Sequence, residues 1–62
     1  MGIGDTVILT SERTFQPNTK IPAGTLGVIQ DAFDYITYVR FLVLFHGFGK
    51  PKMVSVNYLK KV

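Results

Sequence analysis

The side chains able to act as acids, bases or nucleophiles are few in this sequence. It has a single histidine, His46, and no cysteine. The carboxylates are four: Asp5, Glu12, Asp31 and Asp34. A general base needs a partner that orients it within hydrogen-bonding distance, whereas His46 precedes Gly47 at the end of an apolar run, as a hairpin-loop residue does. We therefore expect no catalytic residues and a protein that is not an enzyme.

Two of the carboxylates lie close together in the sequence. Asp31 and Asp34 bracket Ala32-Phe33, where aspartate side chains typically accept local backbone hydrogen bonds in a turn. A metal site built on the two carboxylates is the weaker alternative. We expect a turn at residues 31–34, no metal and no cofactor.

The glycine-rich stretch Gly47-Phe48-Gly49-Lys50 superficially resembles a phosphate-binding loop. It lacks the required spacing before the lysine and the serine or threonine after it, and Pro51 follows instead. No helix is predicted behind it whose N-terminus would hold a phosphate. This stretch is therefore predicted to be an ordinary loop.

Basic and aromatic residues offer a binding chemistry instead. Seven lysines and arginines against four acids give a net charge of +3, which favours anionic partners. Loop aromatics can stack bases while cations hold phosphates, as small barrels do with single strands. The candidate nucleic-acid-binding residues are Phe48, Lys50, Lys52, Tyr58, Lys60 and Lys61. The alternative is that most aromatics fill the core and the lysines keep the surface soluble.

The element that must position these residues is the run at 35–45, which is rich in β-branched and aromatic residues and lacks Gly and Pro. It predicts one long strand. Its odd face carries Val39, Phe41, Val43 and Phe45, which are expected to point into the core. Its even face carries the candidate protein-binding residues Tyr38, Arg40, Leu42 and Leu44. A bulge near Leu42 would exchange the two faces, and periodicity alone leaves that open.

The rest of the chain predicts short strands and no useful helix. Strands are expected at residues 6–10, around Gly27 in the stretch 21–29, and at 52–56, with a 3₁₀ turn at 57–59 and a final strand at 60–62. Residues 11–22 should form a long surface loop pinned by Phe15 and Ile21. Gly24 is expected to have a positive φ, and Gly27 to mark a close backbone approach. Residues 1–62 are therefore predicted to form a single all-β domain.

Composition also suggests a cellular setting. The absence of cysteine means that nothing requires an oxidising compartment, so a cytoplasmic location is expected. No apolar run approaches the roughly 20 residues of a membrane helix, so no membrane partner is expected.

Five short strands, a long first loop and a C-terminal 3₁₀ turn are the element order of a small five-stranded SH3-like barrel. The sequence resembles KOW modules and the electron-transport accessory proteins of photosystem I and ferredoxin–thioredoxin reductase. The resemblance rests on four patterns: Gly4-Asp5-x-Val7, Gly24-x-x-Gly27, Val39-x-Phe41 and the stretch from Val54 to Leu59. The ending Val56-Asn57-Tyr58-Leu59 also resembles the close of signalling SH3 domains. No tryptophan is present to line a polyproline groove, which argues against binding of proline-rich peptides.

These features predict a small binding module that serves as an accessory or regulatory subunit. It is expected to dock on a protein partner or to form a homo-oligomer through the even face of its central strand, because Leu42 and Leu44 form an apolar patch, the mark of an interface, unless the first loop covers them through Phe15 or Ile21. The alternative is a nucleic-acid-binding barrel of KOW type that uses the loop aromatics and lysines.

Overall fold

About half of the residues lie in strands in a computed structural model that describes all residues, 1–62. It has seven strands and one 3₁₀ turn. They are β1 (Thr6–Leu9), β2 (Arg13–Phe15), β3 (Thr19–Ile21), β4 (Leu26–Asp34), β5 (Val39–Phe45), β6 (Lys52–Ser55), the 3₁₀ turn η1 (Val56–Tyr58) and β7 (Leu59–Lys61). The predicted all-β class and the C-terminal 3₁₀ turn are confirmed, with η1 and β7 beginning one residue earlier than expected.

Five of the strands form one antiparallel sheet, in the order β6-β5-β4-β1-β7, and β2 and β3 form a separate hairpin. The first and last strands of the chain are neighbours, with Val7 opposite Lys61. Nine buried apolar side chains form the core beneath this sheet. They are Val7, Leu9, Ile21, Ile29, Phe41, Val43, Phe45, Val54 and Leu59. Every strand of the sheet therefore contributes to the core.

The central strand β5 alternates as its sequence predicts. Phe41, Val43 and Phe45 are buried, while Leu42 and Leu44 between them are only half-buried. The odd face thus packs into the core, and the even face lies outward.

A bulge is present, but it lies in the neighbouring strand. In β4, Ile29 pairs with Val43 and Asp31 with Leu42, so Gln30 is the extra residue. After Gln30 the even-numbered residues of β4 therefore pair with the odd-numbered residues of β5, although Ala32 and Asp34 at these positions are exposed. A bulge also increases the local twist, which helps a long strand to curve over a small core.

Two sequence predictions around this hairpin are wrong. Residues 31–34 are not a turn but the end of β4, and the central strand begins at Val39 rather than at residue 35. The turn lies between them: the Tyr35 backbone N–H donates to the Tyr38 carbonyl at 2.9 Å, and the two rings stack with centroids 4.6 Å apart. Cross-strand pairing through the bulge keeps Asp31 and Asp34 extended and overrides their turn preference.

The predicted long loop at residues 11–22 contains the β2–β3 hairpin. Its strands pair Arg13 with Ile21 and Phe15 with Thr19. The two apolar residues do pin it, as expected. Ile21 is fully buried in the core, and the half-buried Phe15 ring lies 6.3 Å from the Phe45 ring.

Both glycine predictions are confirmed. Gly24 has φ +91° in the turn before β4, where the Thr25 N–H donates to the Pro22 carbonyl, as in a type II turn. Gly27 lies against β5 so closely that a Cβ there would meet Val43 Cγ1 at 2.7 Å. The close approach therefore lies in the pairing of β4 with β5.

Candidate binding surfaces

The outer face of the five-stranded sheet carries a continuous apolar surface, here called the outer face. It runs through cross-strand neighbours in four strands, since Ile8 pairs with Leu26, Val28 with Leu44, and Leu42 with Met53. Paired residues in an antiparallel sheet project to the same side, so these six side chains share one surface. It is defined by Ile8, Leu26, Val28, Leu42, Leu44 and Met53.

Exposure is unequal across the outer face. The predicted anchors Leu42 and Leu44 are half-buried by their neighbours. The most exposed members are Leu26 at 46%, Val28 at 43% and Met53 at 38%, none of which was assigned from the sequence. The alternation of β4 contains the signal for Leu26 and Val28, but only the pairing register places them beside Leu44.

An open groove of about 720 Å³ continues the outer face past the end of β5. Its walls include Leu26, Val28 and Leu44 on one side and the turn from His46 to Gly49 on the other. The candidate Phe48 lines this groove and also packs against the core. His46 is exposed, and its backbone N–H donates to the Leu26 carbonyl, as expected of a loop histidine.

A second groove, of about 490 Å³, lies between the β2–β3 hairpin and the strand β6 with η1, and is here called the arginine groove. Two arginines in it lie over tyrosine rings. Arg13 Cζ is 3.9 Å from the centroid of Tyr58, and Arg40 Cζ is 5.2 Å from that of Tyr38. Such cation–π contacts hold a guanidinium in place while leaving its in-plane N–H groups free to donate.

Neither arginine in this groove has a carboxylate partner. The ion pairs of the structure are both made by Asp5, with Lys61 at 3.8 Å and with the N-terminal ammonium at 3.9 Å. No acidic side chain lines the arginine groove. The groove is therefore a cationic site whose two arginines make no ion pair within the chain.

The fold places the predicted protein-binding residues on two different surfaces. Of the protein-binding candidates, Leu42 and Leu44 lie on the outer face, whereas Tyr38 and Arg40 line the arginine groove, Tyr38 from the turn rather than from the strand. Arg13, which completes that groove, was not assigned. Residues 11–22 are predicted to be a loop, so no strand alternation in the sequence points to Arg13.

The nucleic-acid candidates do not form one row. Lys52 lies on β6, at one edge of the sheet, while Lys60 and Lys61 lie on β7, at the opposite edge. Lys50 lies in the loop before β6, and Tyr58 is in the arginine groove. The strand order therefore places the lysines of β6 and β7 on different edges of the sheet.

The remaining polar residues have local roles. Asp31 Oδ1 accepts a 2.8 Å hydrogen bond from the Ala32 N–H, the kind of contact predicted, although it lies in a strand. Nowhere do three side chains of the histidine, cysteine, aspartate or glutamate type come together as a metal-binding cluster.

Comparison with known proteins gives no relative from which to transfer a role: no family model, curated protein or solved structure matches this chain. The structure has no helix with the length and apolarity needed to cross a lipid bilayer.

Proposed function

We propose that this chain is an SH3-like barrel that acts as a non-catalytic binding module, docking on another protein through its outer face. The resemblance of the sequence to KOW modules and electron-transport accessory proteins suggested the barrel. The strand order, in which the last strand pairs with the first, supports it. An accessory or regulatory subunit in the cytoplasm is the setting that we propose.

The single observation that carries this proposal is the apolar continuity of the outer face across four strands. Leu26, Val28 and Met53 are each more than a third exposed, and the half-buried Leu42 and Leu44 join them. Contiguous apolar surface on a small domain is penalised by water at roughly 25 cal/mol per Å², and it typically marks an interface.

The size of the chain sets what such an interface requires. Its accessible surface is 4171 Å², so a standard interface of about 800 Å² per partner would take about a fifth of it. The outer face, together with the adjoining groove of about 720 Å³, offers one side of the molecule for that purpose.

Charge favours a different, acidic chain over a second copy. The outward positions beside the apolar residues include Arg40 and Lys60, with Asp31 as the acid on this face. A symmetric dimer would set this face, with its net positive charge, against a copy of itself, and like charges across an interface are unfavourable. We therefore propose an acidic protein partner, with self-association as the competing outcome.

Photo-crosslinking tests the proposal directly. A benzophenone side chain at Val28, on the outer face, is expected to capture a defined partner from cells that express the full chain. The matched control carries the same group at Ile36, which is fully exposed but lies in the turn after β4. Capture from Val28 and not from Ile36 is the expected result.

Substitutions on the outer face test whether capture depends on its apolar side chains. Leu26→Ser and Met53→Ser, each made in the chain that carries the crosslinker at Val28, should abolish capture while leaving stability nearly unchanged, because both side chains already contact water. Light scattering during size exclusion distinguishes the two occupants. A mass that doubles with concentration and halves in Val28→Ser would replace the partner proposal with self-association. A monomer that crosslinks to nothing from Val28 would refute docking altogether.

A further inference from the structure

The arginine groove holds two guanidinium groups: Arg13, which the proposed docking through the outer face does not use, and Arg40, which lies at the rim of that face. Arg13 and Arg40 come from separate parts of the fold, the β2–β3 hairpin and the central strand, and each lies over a tyrosine ring. The groove between them is about 490 Å³ and adjoins the outer face through Met53, which belongs to both. We propose that this groove binds an extended acidic peptide segment, whose carboxylates pair with Arg13 and Arg40.

Charge and geometry favour carboxylates here. A guanidinium presents paired N–H donors in a rigid fork that fits a carboxylate bidentately, and stacking on a ring fixes the plane of that fork. Neither guanidinium makes an ion pair within the chain. Binding an acidic group therefore breaks no existing salt bridge, and it neutralises charge that is otherwise unbalanced.

The walls of the groove favour an extended chain. One wall is strand β2, and the other is β6, an edge strand whose outer side has no strand neighbour. Polar side chains that can donate or accept hydrogen bonds, Gln16, Ser55 and Asn57, lie along it. A peptide backbone in the β conformation presents carbonyl and N–H groups at intervals that such walls can satisfy.

Single-stranded nucleic acid fits the same groove less well. Each arginine lies over a ring, Tyr58 or Tyr38, and so competes for the surface on which a base would stack. A phosphate backbone also needs a continuous track of cations. Lys60 and Lys61, which are adjacent in the sequence, lie on β7, at the edge of the sheet opposite β6, which lines the groove.

The test uses the whole chain and a short fluorescein-labelled peptide of alternating glutamate and threonine, followed by fluorescence anisotropy. A peptide with glutamine in place of glutamate is the ligand control. Binding of the glutamate peptide is expected to weaken about ten- to a hundredfold in Arg13→Gln and in Arg40→Gln, the range for a lost charge-assisted hydrogen bond. Arg13→Lys keeps the charge but loses the fork, so it should weaken binding as well.

Lys60→Gln removes one positive charge at the far edge of the sheet and should change the affinity about twofold or less. Far-UV circular dichroism checks that each variant is folded, which is expected because Arg13 and Arg40 are exposed. Equal binding of the glutamate and glutamine peptides, or equal loss in Lys60→Gln and Arg13→Gln, would overturn the proposal. Tighter binding of a labelled oligothymidine, weakened by the same arginine variants, would assign the groove to nucleic acid instead.

This inference extends the proposed docking function, and the two fail in different ways. Val28→Ser should leave binding of the glutamate peptide unchanged, because Val28 does not line the arginine groove. If crosslinking from Val28 captures a partner while the peptide does not bind, docking through the outer face is supported and the groove proposal is refuted. If the peptide binds and crosslinking captures nothing, the groove proposal stands alone.

Discussion

Replacing Gly27 by alanine tests how closely β4 and β5 approach each other. A Cβ at this position would lie 2.7 Å from Val43 Cγ1, and 3.0 Å from both the Leu44 carbonyl oxygen and Phe45 Cδ1. None of these neighbours moves easily. Val43 is β-branched and fully buried, Phe45 is a core residue, and the carbonyl is part of the paired backbone.

The expected size of the effect comes from two opposing terms. An extra methyl group in a packed site typically costs about 1–3 kcal/mol. Alanine also lowers the conformational entropy of the unfolded chain, which adds about 0.4–1 kcal/mol to the free energy of unfolding where the native backbone conformation suits alanine. The net loss in the free energy of unfolding is therefore about 1–2 kcal/mol. For a domain of this size that lowers Tm by roughly 5–15 °C.

Urea unfolding followed by far-UV circular dichroism measures the loss, since the chain has no tryptophan for fluorescence. Gly49→Ala is the matched control, because a Cβ there meets nothing within 4 Å and its φ is not positive. It should stay within about 0.5 kcal/mol of the native chain. A Gly27→Ala variant as stable as Gly49→Ala would show that the two strands do not approach as closely as described.

Two further predictions concern the core and the surface. Ile29→Ala removes a fully buried side chain next to the bulge and should cost about 2–5 kcal/mol, enough to leave much of the chain unfolded at 37 °C in a thermal melt. A melt indistinguishable from the native one would contradict the placement of Ile29 in the core. Lys61→Gln breaks the 3.8 Å contact with Asp5, and because the Lys61 side chain is 59% exposed the loss should be about 0–1 kcal/mol and should shrink at high salt. A larger loss that salt does not reduce would show that this ion pair is not a screened surface contact.

Side-chain alternation in the sequence was enough to predict much of the sheet. A period of two separates Phe41, Val43 and Phe45 from Leu42 and Leu44, although periodicity alone left open which of the two sets is buried. The two glycines were predictable from their places in the chain. Gly24 follows a proline in a turn, where a positive φ is common, and Gly27 lies inside a strand, where the lack of a side chain allows a neighbouring strand to come close.

What the sequence could not predict depends on pairing between distant residues. The bulge at Gln30 shifts the register of β4, and a glutamine in a strand does not predict a bulge. The turn at Tyr35 and Tyr38 contains strongly β-forming residues, and ring stacking with one backbone hydrogen bond stabilises it instead of glycine or proline. For the same reason the meeting of Arg13 with Tyr58, 45 positions apart, followed from no local pattern.

The strand order indicates a role for the scattered lysines that requires no ligand. The free edges of the two sheets lie on β6, β7 and the β2–β3 hairpin, and each carries a cation. These are Lys52, Lys60, Lys61, Arg13 and Lys20. An unpaired edge invites a strand from another molecule, and a cation on it discourages that addition by repulsion and by the cost of burying the charge. The cations on these edges should therefore oppose the addition of strands from other molecules, and this opposition should weaken where salt or a polyanion neutralises them.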